Sequence, residues 1–270
     1  MRRLAALFLA FLVFPVFAAV CGAQTLTVKG RDQSQSFSRA QLLADPRLAT
    51  VAIARDPVFK RAMTYRAIPV ASLLEAVKAR PDDYVQARAV DDFSVAIPGR
   101  LMLGGAAWLA IEDPARPWPT LSKGGKSYSA GPFYIVWSGA REVSSEYWAY
   151  QLAALAITDS PAQRWPQLAV GTEIPAGDPV RRGLEKFTEV CLACHRFKGA
   201  GEGSQGPDLG QPMNPADYLK PGILKKLLRD PDSVRTWPER KMPAFTPDML
   251  SDADLDGIAA WLAYKAQAAR

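Results

Sequence analysis

Cys191-Leu192-Ala193-Cys194-His195 is the stretch that decides the fold of the last third of this chain. In a C-x-x-C-H pattern each cysteine can add to one vinyl group of a haem, and the adjacent histidine supplies a nitrogen to the iron. The spacing therefore predicts one covalent c-type haem, attached at Cys191 and Cys194, with His195 as an axial ligand of the iron.

Two other interpretations of neighbouring cysteines fit less well. A structural zinc site usually takes four Cys or His ligands, whereas the motif offers three and His195 is the sole histidine of the sequence. A thioredoxin-like redox pair stands at the start of a helix in a βαβ unit, but these cysteines follow a helical pattern. Haem attachment is the interpretation that the residues favour.

The lone histidine also limits the second axial ligand. Because no other imidazole is present, a six-coordinate iron needs a different side chain, and a methionine thioether is common in electron carriers. The methionines after residue 23 are Met63, Met102, Met213, Met242 and Met249. The first two fall in the amino-terminal half, so three candidates remain.

Helical patterns flank the motif. Asp178 and Pro179 form a good N-cap and first turn, and apolar residues then recur on one face up to the cysteines. Near the carboxyl terminus Ser251 can cap a last helix, with Asp252 and Asp254 in its first turn. The end of the chain is therefore predicted to be all-α.

Residues 179–270 resemble a class I cytochrome c domain. The features that carry the resemblance are the motif, Gly206-Pro207-Asp208-Leu209 and Lys241-Met242-Pro243-Ala244-Phe245. The resemblance implies Met242 as the distal iron ligand and the Pro207 carbonyl as the acceptor for the other ring nitrogen of His195. Met213, in the loop segment Pro212-Met213-Asn214, is the fallback ligand.

A His/Met pair would fill both axial positions, which favours outer-sphere electron transfer over chemistry at the iron. The leading function is a periplasmic monohaem electron-transfer protein, or the cytochrome subunit of a dehydrogenase complex, rather than an independent enzyme. A molybdopterin-type oxidoreductase subunit and a haem-based sensor are the alternatives; the sensor would require Met242 to leave the iron.

The first residues predict export. Arg2 and Arg3 precede an apolar run over residues 4–20, and small residues then allow cleavage after Ala23. Residues 1–23 are thus interpreted as a signal peptide, which places the mature chain in the periplasm. Lipidation at Cys21 and a retained membrane anchor are the alternatives.

The charge is mild. Removing the two leader arginines lowers the formal net charge of +6 to +4, which is too little for the localised basic surface of a nucleic-acid-binding protein. Six basic residues near the haem loops in sequence could steer an acidic redox partner, or could belong to a mixed solvated surface. They are Lys198, Lys220, Lys225, Lys226, Arg229 and Lys241.

Residues 24–158 show an α+β pattern without regular βαβ alternation. Short strands are predicted at residues 25–28, 51–54, 85–89, 93–97, 108–111 and 133–137, and short helices at 38–43 and 72–77. Residues 159–178 are rich in proline, glycine and polar side chains, and are predicted to link this domain to the helical domain.

The amino-terminal domain resembles, more weakly, the molybdopterin-binding domain of sulfite-oxidase-type oxidoreductases. The resemblance rests on Thr25-Leu26-Thr27-Val28-Lys29-Gly30, residues 65–74, Asp91-Asp92-Phe93-Ser94-Val95 and Gly131-Pro132-Phe133-Tyr134-Ile135-Val136. It implies a mixed sheet. That family binds molybdenum through a cysteine, yet residues 24–190 contain none. We therefore expect a cofactor-free domain that docks a partner or positions the haem domain.

Overall fold

The computed structural model describes residues 25–123, 125–139, 143–236 and 242–267. The predicted signal peptide lies outside these residues. Among those described, no helix is both long and apolar enough to cross a membrane.

The described residues form eleven strands and eight α-helices. The strands are Thr25–Lys29 (β1), Ser34–Ser38 (β2), Ala49–Ile53 (β3), Met63–Pro69 (β4), Tyr84–Ala89 (β5), Ser94–Pro98 (β6), Ala107–Ile111 (β7), Leu121–Lys123 (β8), Lys126–Tyr128 (β9), Phe133–Trp137 (β10) and Leu152–Thr158 (β11). The helices are Arg39–Leu43 (α1), Val70–Glu75 (α2), Gly99–Leu103 (α3), Pro161–Arg164 (α4), Pro179–Lys186 (α5), Pro215–Tyr218 (α6), Ile223–Arg229 (α7) and Asp252–Gln267 (α8).

Two sheets build the amino-terminal domain. One has the order β2-β1-β11-β5-β6, and the other has the order β10-β7-β4-β3. Strands β1 and β11 pair in parallel, with Thr27 opposite Ala154, while the other pairs are antiparallel. The predicted mixed α+β sheet domain is therefore confirmed. The β8–β9 hairpin forms a small separate sheet.

All six predicted strands are present, and the prediction missed the other five. Helix α1 begins as expected, because Ser38 accepts a hydrogen bond from the Gln41 amide and the Gln41 side chain caps Ser38 in return. Helix α2 lies two residues earlier than predicted, since it starts directly after Pro69.

The carboxyl-terminal domain is helical, as predicted. Asp178 caps α5 by accepting the Val180 amide, and Ser251 caps α8 by accepting the Asp254 amide. Helices α5 and α8 cross closely, because a Cβ at Gly183 would overlap the backbone of Gly257.

The segment that precedes α5 packs on the helical domain. The Leu168 side chain is buried in the hydrophobic cluster of that domain, and the Leu168 carbonyl accepts the Trp261 indole N–H at 3.3 Å. The Lys265 ammonium donates to the Ala169 carbonyl at 2.8 Å. Leu168 and Ala169 of the predicted linker thus pack against α8, while the linker itself stays a prediction.

Candidate functional site

The two cysteines stand at the end of one continuous helical segment. After α5, a single π-helical turn over Phe187–Cys191 presents the first cysteine, and such turns occur often at functional sites. The next residues form a tight turn, in which the amides of Cys194 and His195 both donate to the Cys191 carbonyl, at 3.1 and 2.8 Å. The backbone therefore holds both thiols and the imidazole on one short turn.

The His195 ring is oriented by a backbone carbonyl. The ring nitrogen Nδ1 lies 2.8 Å from the Pro207 oxygen. Burial lowers the pKa of His195, and the hydrogen bond to the Pro207 carbonyl opposes this shift only in part. The ring is thus neutral near pH 7, with the proton on Nδ1 directed at Pro207 and the Nε2 lone pair available to a metal. Gly206 permits this approach, because a Cβ there would overlap the imidazole.

Asp208 anchors the loop that carries Pro207. Its carboxylate accepts the amides of Lys198, Gly199 and Gly210 at 2.7 to 2.8 Å. Burial alone would raise the pKa of Asp208, but these amides outweigh it and hold the pKa below its usual value. The loop opposite the imidazole is therefore fixed by an ionised side chain.

A cavity of about 940 Å³ opens beside the motif. Cys191, Cys194, His195, Pro207 and Met242 all line it, together with apolar side chains of the helical domain. The side chains of Met213 and Met249 are 51% and 37% exposed and do not contribute to this wall. The structure thus brings together Met242 and His195, and leaves Met213 outside.

These residues fit a c-type haem. The cavity falls in the range of about 300 to 1,000 Å³ typical of ligand sites, and it offers a neutral imidazole, a thioether and two thiols. Burial raises the pKa of Cys191 to about 12, so its thiol is protonated at neutral pH. A redox-active cysteine pair needs the opposite shift.

The amino-terminal domain supplies part of the same wall, and no sequence pattern predicted this. Val58, Phe93, Trp148, Ala149 and Tyr150 line the cavity. They come from three separate places in the chain, so no spacing in the sequence links them to the motif. Tyr147, next to Trp148 in the chain, is buried and does not line the cavity.

The basic residues singled out from the sequence do not line the cavity where the structure describes them. Lys225 pairs with Asp256 at 2.6 Å, and Arg229 binds Asp252 and two backbone carbonyls at 2.7 to 2.8 Å. None of the five that the structure describes lines the cavity, and Lys241 lies outside the described residues. The charged residues that do line it are Asp91, Glu146, Asp230, Asp232 and Arg235.

Comparison with known proteins agrees with this geometry. Residues 180–265 match the family model described as Cytochrome c. The carboxyl-terminal domain is therefore a c-type cytochrome domain, a class of domain that binds haem and transfers electrons. No curated protein matches the chain in a sequence search.

Among solved structures, the sulfane dehydrogenase SoxCD from Paracoccus pantotrophus is similar with a TM-score of 0.36 and 15% identity. The match covers 50% of this chain and 38% of that chain. The resemblance of the amino-terminal domain to sulfite-oxidase-type domains stays a prediction.

Proposed function

We propose that this protein is a periplasmic monohaem cytochrome that passes single electrons, as the cytochrome subunit of a dehydrogenase complex or as a free carrier. The observation that supports the proposal is the convergence of Cys191, Cys194, His195 and Met242 on one cavity. The predicted leader supports export.

Two of these residues would attach the haem to the chain, and the other two would bind its iron. Cys191 and Cys194 would hold the haem as thioethers, and His195, through Nε2, and Met242 would bind its iron. Haem bound in this way supplies a reversible one-electron change at iron. The Pro207 carbonyl keeps the imidazole in the required tautomer, and apolar side chains form much of the lining.

The amino-terminal domain holds no cofactor in this proposal. Residues 24–190 provide no cysteine for a molybdenum ion, and Cys191 and Cys194 are assigned to haem. Its function is then to dock a redox partner or to position the haem domain.

Metal analysis tests the proposal. Protein recovered from the periplasm of a host that matures c-type cytochromes should contain one haem iron per chain, and the haem should stay with the polypeptide after denaturation. Colourless protein from such a host would refute the proposal. Stoichiometric molybdenum would instead favour a molybdopterin oxidoreductase.

Met242→Ala and Met213→Ala test the distal ligand. We expect Met242→Ala to remove the sulfur-to-iron charge-transfer band and to open the reduced iron to carbon monoxide, because the iron would lose its methionine ligand. Met213→Ala is the matched control and should keep the wild-type spectrum. The opposite pattern would transfer the role to Met213, and carbon monoxide binding by the wild type would favour a sensor.

A further inference from the structure

One side of the haem cavity is built by the other domain. Trp148 follows a short 3-10 turn over Ser145–Tyr147 and is 8% exposed. Together with Phe93 and Tyr150 it lines the cavity that also contains His195. The cytochrome domain alone therefore leaves this side of the cavity uncovered.

Buried contacts hold this aromatic wall in place. The Tyr134 ring lies 6.2 Å from the Trp148 ring and 6.3 Å from the Tyr150 ring, measured between centroids. The hydroxyls of Tyr65 and Tyr134 donate to the buried Asp56 carboxylate at 2.7 and 3.3 Å. Such networks fix side-chain positions, because breaking them would leave buried polar groups unsatisfied.

A second cluster ties the haem-bearing loop to the same domain. Glu202 lies between the motif and Pro207, and its carboxylate accepts hydrogen bonds from Arg88 at 2.7 Å, Ser94 at 2.9 Å and Arg164 at 2.5 Å. We call these four residues the Glu202 cluster. Ala193, inside the motif itself, is 2% exposed and packs in the hydrophobic core of the amino-terminal domain.

We propose that the amino-terminal domain is a structural part of the haem site, and that Trp148 is a positioning residue that sets the reduction potential by excluding water from the cavity. This inference rests on the proposed haem function. Ferric haem carries one more positive charge than ferrous haem, so a dry apolar wall disfavours the ferric state. Removing the wall admits water and stabilises the ferric state.

Potentiometric titration of the purified haem protein tests this inference. Trp148→Ala should shift the ferric-to-ferrous equilibrium about tenfold toward the ferric state, which is about 59 mV for a one-electron couple. Trp148→Phe retains an apolar ring at this position, so its reduction potential should stay close to that of the wild type. Trp108→Ala is the control, because Trp108 is a partly buried residue of β7 outside the cavity wall. It should leave the potential unchanged.

The outcomes separate this inference from the haem assignment. A Trp148→Ala protein with one haem, an intact sulfur-to-iron band and the wild-type potential would overturn the inference and leave the proposed function standing. A wild-type protein without haem would overturn both. If Trp148→Ala does not accumulate, Trp148→Leu provides the same test with a smaller expected shift in the same direction, and an unchanged potential would again overturn the inference.

Discussion

The two domains fill their cores in different ways. In the amino-terminal domain two sheets enclose a core of protein side chains. The fully buried Asp56 carboxylate is satisfied there, since it accepts the Val58 and Phe59 amides and two tyrosine hydroxyls. In the carboxyl-terminal domain the aromatic cluster of Phe187, Phe197 and Trp261 stands beside a cavity of about 940 Å³.

The difference indicates which domain depends on a cofactor to fold. The apolar side chains that line this cavity lack packing partners on that side, so the helical domain gains less from packing than the sheet domain does. The whole stability of a domain is only about 5 to 15 kcal/mol, so a group that fills the cavity can decide whether the domain folds. The helical domain should therefore depend on its haem, whereas the sheet domain should not.

The largest expected effect comes from removing the haem. In the Cys191→Ala/Cys194→Ala double variant, we expect the helical domain to lose its fixed structure while the sheet domain keeps its own. Hydrogen exchange should then show rapid exchange over 179–236 and 242–267, and protection over the strands of the amino-terminal domain. Equal protection of both domains would contradict the comparison, and equal loss would show that the sheet domain also depends on haem.

The next effect concerns the coupling between the domains. Glu202→Gln removes the charge that three donors share, and we expect it to lower the free energy of unfolding of the haem protein by about 1 to 3 kcal/mol. Glu185→Gln is the matched control, because Glu185 is exposed on α5. Denaturant unfolding of the two variants measures the difference. Equal stabilities would mean that the Glu202 cluster does not couple the domains.

A smaller effect should distinguish the domains in acid. Burial alone would raise the pKa of Asp83 in the sheet domain and of Asp254 in the helical domain. A hydrogen bond from Arg31 to Asp83, and hydrogen bonds from Ser251 and Arg182 to Asp254, instead lower both pKa values below 3.8. A carboxylate whose pKa is lower in the folded state than in the unfolded state stabilises the fold at pH values above its unfolded-state pKa. This stabilisation is lost as the pH falls through the folded-state pKa.

The variants Asp83→Asn and Asp254→Asn should therefore each destabilise one domain by about 1 kcal/mol at pH 7, with less difference from the wild type in acid. Unfolding followed by domain-specific hydrogen exchange at pH 7 and pH 3 measures this. A variant whose deficit grows in acid would contradict the assigned sign.

The smallest expected effect concerns exposed charges at the edge of the cavity, which we call the rim and to which both domains contribute. Asp91 from the sheet domain and Asp230 from the helical domain are exposed at the cavity. Replacing either by Asn should slow reduction by a small cationic complex about twofold at low salt, since one charge at about 8 Å in water contributes about 0.5 kcal/mol. An anionic complex should react faster, and high salt should abolish both differences. An effect of Asp230 alone would exclude the amino-terminal domain from the rim.

Local sequence patterns predicted much of the fold and of the site. Ser38, Asp178 and Ser251 each cap a helix within their own neighbourhood, and the six predicted strands have clear turn residues at their ends. Strands β4 and β11 were missed, because β4 runs directly into Pro69 and β11 is an alanine-rich run without alternation.

The sequence by itself determined the haem motif, the helical domain around it and the absence of a cysteine in residues 24–190, because these depend on residue identity and short spacing. Only the tertiary structure decided that Met242 and His195 line one cavity while Met213 lies outside it, and that Trp148 completes the wall. It also decided that Glu202 binds three distant side chains. Such contacts join residues far apart in the chain, and they form only when both domains pack together.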